Sequence, residues 1–471
     1  MPHRPKERIR KMDDVLSRQI DAFIEENREN ILWDMTRLVG VPSVESAPEE
    51  DAPFGPGPRK ALDMALTIAR ELDLETEDLD HKIGYAYIGE KNAPYLATIC
   101  HVDVVPVGEG WNTDPWTLTE REGYLIGRGI VDDKGPAVIT LYALKFLKEQ
   151  GGALRYPVRA ILGANEESGM EDVKHYNKVE QPPLFCFSPD AEFPLINGEK
   201  GIVHGKMRSL CKMEKIIDIK GGAAYNAVPD KAEVWVQAAH APGREGMEVE
   251  EERPGVWHIT AHGIGGHAAH PQGTVSAIGL LEDYLLENNL VSEKEAEYLG
   301  FVVKVPHAPD GSLLGVDADD GLFSPLTVVS GMIFTEEDHM VQTLDFRFPT
   351  NTSVDKIRSI LEKEAAGVAV IELEGGKAPF YKDPKEKELA ACMAAFREVT
   401  GSNEKPFTIG GGTYARSFPN AVGFGPEYIG RERPDFVGHI HGANEAGNFE
   451  EMLESLKVYI VALMNLEELE F

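Results

Sequence analysis

Residues 95–105, YLATICHVDVV, decide the fold of this chain. Apolar residues run through the stretch with little alternation, which is typical of a strand buried on both faces of a parallel sheet. Two polar residues, His101 and Asp103, stand towards its carboxyl end. Ligands of open α/β sheets bind beyond the carboxyl ends of the strands. The stretch therefore predicts a buried strand with a functional site at its end.

The segments on either side of this strand alternate between helical and strand patterns. Apolar residues recur at helical spacing in some segments, and short continuous apolar runs occupy others. The predicted helices are 14–38, 59–72 and 136–150, and the predicted strands are 158–164 and 184–188. This alternation predicts an α/β domain with a mainly parallel sheet and helices on both faces.

The pattern changes near residue 200. Residues 232–239 and 256–264 alternate between apolar and polar side chains, as half-buried strands do. We interpret residues 201–380 as an inserted α+β domain. Residues 1–200 and 381–471 then form the α/β domain into which it is inserted.

The composition is strongly acidic, with 47 Lys and Arg against 79 Asp and Glu and a formal net charge of −32. A nucleic-acid-binding protein needs a basic face for the phosphates, so we expect no nucleic-acid partner. The first residues are charged and no apolar segment follows them, which argues against a secretion signal. No apolar run reaches about 18 residues, so we predict no membrane span.

The four cysteines are scattered and form no C-x-x-C pair, which indicates a reducing compartment and predicts a cytoplasmic location. Cys100 and Cys186 lie in apolar runs, which favours core packing over a nucleophilic role. A short basic arm near the N-terminus is interpreted as a solvated helix start rather than an anion-binding element. Its basic residues are Arg4, Lys6, Arg8, Arg10 and Lys11.

Polar clusters follow several of the apolar runs. Each cluster alone is compatible with a turn, a helix entry or a surface histidine. Together they offer two histidines and several carboxylates, a set that suits zinc. A carboxylate can bridge two ions, and a glutamate beside a ligand can act as general base. The clusters contain His101 and Asp103, Asp132 and Asp133, Glu166 and Glu167, Asp190, and His441.

An ordered set of motifs makes the chain resemble the PepV-type dipeptidases. These belong to the wider two-zinc family that includes carnosinases, carboxypeptidase G and deacylases of N-acylated amino acids. The set extends over most of the chain, from about residue 95 to residue 445. The matching stretches are HVDVVPVGEGW, GRGIVDDKGP, GANEESGM, SPDAEFP, GGAAYNAVPDKAEV, LGVDADDG, GGGTYAR and HGANE.

The resemblance implies a pair of zinc ions. His101, Asp132 and Asp190 would hold one ion, and Asp132, Glu167 and His441 would hold the other. Asp132 would bridge the two. Manganese or cobalt are possible substitutes, because they accept the same nitrogen and oxygen ligands.

The resemblance also assigns residues around the metals. Glu166 would be the general base, and Asp103 would orient the imidazole of His101. His441 is preferred to His439 as the ligand because it begins the H-x-x-N-E pattern. A cis peptide bond is implied between Asp132 and the residue that follows it.

The inserted domain would act as a lid over the substrate. His267 would stabilise the oxyanion of the scissile carbonyl, and its spacing to the following proline favours it over His270. Arg347 would clamp the substrate carboxylate through two parallel hydrogen bonds. The residues expected to contact the substrate, besides His267, are Asn226, Arg347, Gly412 and Thr413.

The predicted function is hydrolysis of dipeptides by a water that two zinc ions activate. Deacylation of N-acylated amino acids, with the same metals, is the alternative enzyme. A catalytically inactive binding protein on this scaffold is disfavoured, because every expected ligand and the base are present. The resemblance implies that the protein is a monomer.

Overall fold

A computed structural model describes residues 13–152 and 154–471. The basic arm considered above lies outside the described residues. The described chain forms two compact units. The first contains the residues up to Asn197 together with Lys382–Phe407 and Gly412–Phe471, and the second contains Gly198–Tyr381 and Thr408–Gly411.

The first unit combines long helices with a twisted sheet and short strand pairs. Its helices are Asp14–Val39, Pro56–Glu71, Lys134–Glu149, Glu171–Val179, Lys387–Thr400 and Phe449–Glu467, with a 3₁₀ helix at Tyr414–Ser417. Its strands are Glu75–Leu79, Ile83–Ile88, Leu96–His101, Thr119–Arg121, Tyr124–Ile126, Val158–Gly163, Phe185–Ser188, Ala191–Phe193, Ala421–Gly423, Pro426–Tyr428 and Ala446–Asn448. The strands Ile196–Glu199 and Phe407–Ile409 run across the boundary between the units.

The centre of this sheet is parallel, as the continuous apolar runs predict. Leu96–His101 pairs in parallel with Val158–Gly163 on one side and with Phe185–Ser188 on the other. Ala421–Gly423 continues the parallel order beyond Phe185–Ser188. Ile83–Ile88 pairs antiparallel with Val158–Gly163, and Ile196–Glu199 pairs antiparallel with Ala421–Gly423, so the sheet is mixed towards both edges. The prediction of a mainly parallel sheet is confirmed.

Helices cover both faces of the sheet. Successive side chains of a strand point to opposite faces. Leu162 belongs to an apolar cluster that includes residues of helix Lys134–Glu149. Arg159, three residues earlier, points the other way and donates a 2.9 Å hydrogen bond to the Tyr176 hydroxyl on helix Glu171–Val179.

The central strand is shorter than its apolar run suggests. The strand ends at His101, whereas the run continues to residue 105. Val102 and Val104 are fully or almost fully buried although they lie outside the sheet. Periodicity cannot separate a buried strand from a buried irregular segment, so the boundary was predicted too late.

The second unit is built around an antiparallel sheet with helices packed on it. Its strands are Gly201–Ser209, Ile216–Gly221, Ala227–Val228, Lys231–Gln237, Met247–Arg253, Val256–His262, Gly266–His267, Thr327–Val329, Ile333–Glu336, His339–Phe348, Ala369–Lys377 and Phe380–Tyr381. Its helices are Ala277–Glu287, Glu293–Val302, Lys304–His307 and Val354–Glu364, with a 3₁₀ turn at Ser312–Leu314. Met247–Arg253 forms one edge of the sheet, beside Val256–His262.

Burial alternates along the strands of this sheet, so that one face is buried and the other is partly exposed to solvent. In Gly201–Ser209 every second residue is buried and the others are partly exposed. Antiparallel sheets commonly bury one face and solvate the other. Within the residues described here, no helix is both long and apolar enough to cross a membrane.

Candidate functional site

Three neighbouring parallel strands of the first unit bring polar residues to one rim. His101 is the last residue of the central strand. Glu166 and Glu167 follow the strand Val158–Gly163, and Asp190 follows the strand on the opposite side. Ligand atoms of His101, Glu166 and Asp190 lie within 4.8 Å of one another. The carboxyl ends of the strands thus place these groups together, as expected for an α/β sheet.

His101 is fully buried and both ring nitrogens are engaged. Its Nδ1 lies 2.9 Å from the main-chain oxygen of Asp103. A carbonyl oxygen can only accept, so Nδ1 carries a proton, and Nε2 is the ring nitrogen left to ligate a metal ion when the ring is neutral. Nε2 faces Asp132 Oδ1 at 2.8 Å and Asp190 Oδ2 at 4.0 Å. This is the tautomer that a metal-ligating imidazole requires.

Asp103 reaches its neighbours in two ways. Its main-chain oxygen is the close acceptor for His101, whereas its carboxylate Oδ1 lies 3.5 Å from the same nitrogen. The carboxylate instead accepts hydrogen bonds of 3.1 Å from each of the main-chain N–H groups of Glu166 and Glu167. Asp103 therefore also fixes the two glutamates relative to the histidine.

Asp132 lies between two histidines. His441 Nε2 is 2.9 Å from Asp132 Oδ2 and 3.1 Å from Glu167 Oε1, while His101 contacts the other Asp132 oxygen. The side chain of His441 is 51% exposed, so it approaches the buried carboxylates from the solvent side. The predicted cis peptide bond between Asp132 and Asp133 is confirmed.

The cluster carries an excess of buried negative charge. Burial raises the pKa of Glu166, Glu167 and Asp190, and the charge of Asp132 adds to this in each case. Burial opposes protonation of His441, but hydrogen bonds with Asp132 and Glu167 outweigh it and raise its pKa to about 10. Nitrogen and oxygen donors that converge on one another, with repelling carboxylates, fit divalent metal ions.

Asp172 supports the segment that carries the glutamates. Its buried carboxylate accepts 2.7 and 2.8 Å hydrogen bonds from the N–H groups of Ala164 and Asn165. The Tyr414 hydroxyl also donates to it. Gly163 makes room for this contact, since a Cβ there would lie 2.0 Å from the Tyr414 hydroxyl. Sequence reasoning missed Asp172, because the GANEESGM stretch ends two residues before it.

Asn226 and His267 lie side by side in the second unit. Ala227 and His267 are paired in a short antiparallel ladder, and Ala268 N–H donates to the Asn226 main-chain oxygen at 2.9 Å. The N–H of Ala269 donates to His267 Nδ1 at 3.1 Å. Because Nδ1 accepts, the proton of the neutral ring lies on Nε2, which is then a hydrogen-bond donor.

Arg347 in the second unit is buried and held by Asp345. Its Nε and Nη2 donate to the two Asp345 carboxylate oxygens at 2.7 and 2.9 Å, and its Nη1 donates to the Gly410 main-chain oxygen at 3.3 Å. His204 Nε2 lies 3.0 Å from the same carboxylate. A guanidinium has five N–H groups, so these contacts leave one on each Nη for a further acceptor.

Gly412 and Thr413 lie in the first unit, at the start of the 3₁₀ helix Tyr414–Ser417. The Thr413 hydroxyl oxygen caps this helix by accepting from Ala415 N–H at 3.1 Å. A Cβ at Gly412 would lie 3.0 Å from the Arg416 guanidinium carbon. The predicted site residues are thus divided. The predicted metal ligands and this turn lie in one unit, and Asn226, His267 and Arg347 lie in the other.

Comparison with known proteins shows that a chain with this fold and this buried cluster belongs to a class of metallopeptidases. Residues 97–465 match peptidase family M20/M25/M40, and the chain belongs to this family. A protein of Staphylococcus aureus (strain USA300) that is named as a dipeptidase is 30% identical over 473 residues, covering 94% of this chain and 98% of that protein.

Solved structures share the fold at low sequence identity. Human carnosine dipeptidase 1 superposes with a TM-score of 0.59 at 15% identity, over 98% of this chain and 100% of that chain. The Bacillus subtilis YXEP protein, described as a dinuclear metal-binding peptidase, has a TM-score of 0.54 at 12% identity, over 95% and 98% of the two chains. At these identities the likeness shows the fold alone.

Proposed function

We propose that the chain is a dipeptidase that works with two metal ions. The observation that carries this proposal is the position of Asp132, whose two carboxylate oxygens face a different histidine each. A carboxylate in that position is suited to bridge two ions. His101 and Asp190 would complete one set of ligands, and Glu167 and His441 the other. Zinc suits these donors, and manganese or cobalt could replace it.

Two bound metal ions would supply Lewis acidity, which lowers the pKa of a water molecule and polarises the substrate carbonyl. Glu166 would take a proton from the attacking water at its carboxylate and return it to the leaving amine. Nε2–H of His267 would donate to the developing oxyanion of the substrate. Asp103 would hold His101 and Glu166 in fixed positions relative to one another.

Substrate length would be set by groups that hold a free carboxylate. Arg347 has one N–H on each Nη beyond those used by Asp345 and Gly410, and two parallel donors match a carboxylate. Asn226, Gly412 and Thr413 would add polar contacts. In this proposal residues 201–380 act as a lid over a catalytic domain formed by 1–200 and 381–471, in a cytoplasmic monomer.

Metal content is the first prediction. Two ligand sets that share Asp132 lead us to expect about two zinc ions per chain after saturation and removal of excess metal. Elemental analysis combined with the protein concentration measures this directly. Asp132→Asn should lower the zinc content most, because both ligand sets then lose the same negative charge. One ion or none in the saturated native protein contradicts the prediction.

Substrate preference distinguishes the dipeptidase from the deacylase alternative. We expect the metal-loaded protein to hydrolyse an unblocked dipeptide at least about 10-fold faster, in kcat/KM, than an N-acetyl amino acid with the same C-terminal residue, since contacts to the substrate amine and side chain add binding energy. The relatives named as dipeptidases support this direction. Faster hydrolysis of the acetylated compound would establish the deacylase instead.

A further inference from the structure

Glu445 is a buried carboxylate that the proposed chemistry does not use. It is 1% exposed and accepts from several main-chain groups of one loop. Its Oε1 accepts from Val131 N–H at 3.1 Å and from Asp132 N–H at 3.3 Å. Its Oε2 accepts from Gly129 N–H at 3.1 Å and from Arg128 Nη1 at 2.6 Å. The loop that carries the bridging aspartate is therefore wrapped around this one carboxylate.

Arg128 extends the contact to the other side of the site. Its side chain is also 1% exposed, and its Nη2 donates to the main-chain oxygen of His441 at 3.1 Å. The same nitrogen lies 3.4 and 3.3 Å from the carbonyl oxygens of Pro106 and Val107. The Arg128–Glu445 pair thus connects the backbone of the Asp132 loop to that of the His441 segment.

We propose that the Arg128–Glu445 pair is a positioning device for the two metal ions, holding Asp132 and His441 at the separation that lets them share an ion. The proposal rests on the proposed metal site. His441 has a half-exposed side chain and a left-handed backbone with φ of 64°, so side-chain burial does not fix its place. The main-chain hydrogen bond from Arg128 supplies a fixed point instead.

The type of interaction fits this role. A buried ion pair loses hydration on both partners, and replacing it with apolar residues is often neutral or stabilising. Here the carboxylate regains hydrogen bonds from three main-chain N–H groups, which also sets the path of the loop. Groups behind metal ligands typically change metal affinity by 10- to 100-fold when they are removed.

A second ion pair in the same unit, with a buried arginine and a partly buried glutamate, provides the control. Arg159 Nη1 contacts Glu180 Oε2 at 2.9 Å, with side-chain exposures of 3% and 19%. It lies beside Tyr85 and Tyr176 and contacts no proposed metal ligand. A purely structural role for the Arg128–Glu445 pair predicts that Glu445→Gln and Glu180→Gln behave alike.

The test measures zinc affinity, by competition with a chromophoric chelator, together with the Tm of the metal-free proteins. We expect Glu445→Gln to weaken zinc binding by about 10- to 100-fold and Glu180→Gln to stay within about 2-fold of the native protein, even where both lower the Tm. Native affinity in Glu445→Gln, or equal losses in the two variants, would overturn the proposal.

Arg128→Lys keeps the test decisive if Glu445→Gln does not fold. Lysine retains the charge but has no planar fork with which to reach Glu445 and the His441 carbonyl together. We expect at least about a 5-fold loss of zinc affinity, on the scale known for groups behind metal ligands; native affinity would again overturn the proposal. A native protein that binds no zinc would instead overturn the metal site itself, and the positioning role with it.

Discussion

Glu166→Gln is expected to lower kcat/KM for a dipeptide by about 100-fold or more while leaving the zinc content unchanged. The amide has the same shape as the carboxylate but cannot accept a proton at neutral pH. Glu166 lies on the rim with His101 and Asp190, close enough to join a ligand set. The variant therefore separates a base, whose loss affects only turnover, from a ligand, whose loss releases metal.

Glu167→Gln is the matched neighbour for this experiment. Glu167 contacts His441 at 3.1 Å and is proposed as a ligand, so its amide variant should lose zinc as well as activity. Elemental analysis and steady-state kinetics on both variants give the comparison. Loss of zinc from Glu166→Gln would make Glu166 a ligand, and near-native turnover would remove it from the mechanism.

Arg347→Ala is expected to reduce kcat/KM for a dipeptide by about 100-fold, because charge-assisted paired hydrogen bonds to the carboxylate are lost. The C-terminal amide of the same dipeptide and a tetrapeptide should change much less. In the native protein both should be poorer substrates than the dipeptide, since neither presents a carboxylate next to the scissile bond. Equal native rates on all three compounds would rule out the clamp.

A folding check and two further variants test whether the effect of Arg347→Ala comes from loss of the carboxylate clamp. Arg347→Ala leaves the buried Asp345 carboxylate without its paired donors, so unfolding must be checked by circular dichroism. Arg347→Lys keeps a charge beside Asp345 and should still lose most of the selectivity, because an ammonium cannot make two parallel bonds. Arg358→Ala, which removes a partly exposed arginine of the same unit, should leave all three rates unchanged.

The sequence predicts those parts of the molecule whose cause is local. The central parallel strands follow from apolar runs, and the metal candidates follow from polar residues at the ends of those runs. The antiparallel strand Ile83–Ile88 is buried at five of its six residues, much like the parallel strands at the centre of the sheet, so composition does not reveal its direction. The direction of this strand depends on the arrangement of the whole sheet.

The supporting residues of the site are harder to predict, because their partners are backbone atoms far away in the chain. Arg128 and Glu445 are 317 residues apart, and nothing in their own segments indicates the contact. Asp345 stands two residues before Arg347 on one strand, yet only the folded structure shows that it occupies two of the five guanidinium N–H groups. The sequence equally gives no sign that the contact to the His101 ring comes from the main-chain oxygen of Asp103.

The edge strand Met247–Arg253 has a consequence for self-association. Its sequence, MEVEEER, gives the open edge of the second unit's sheet four glutamates within seven residues. A sheet edge is a template on which another copy of the chain could add a strand. Antiparallel addition of an identical strand would set glutamates against glutamates, and like charges placed opposite one another repel. Charge repulsion along this strand thus opposes growth of the sheet from molecule to molecule.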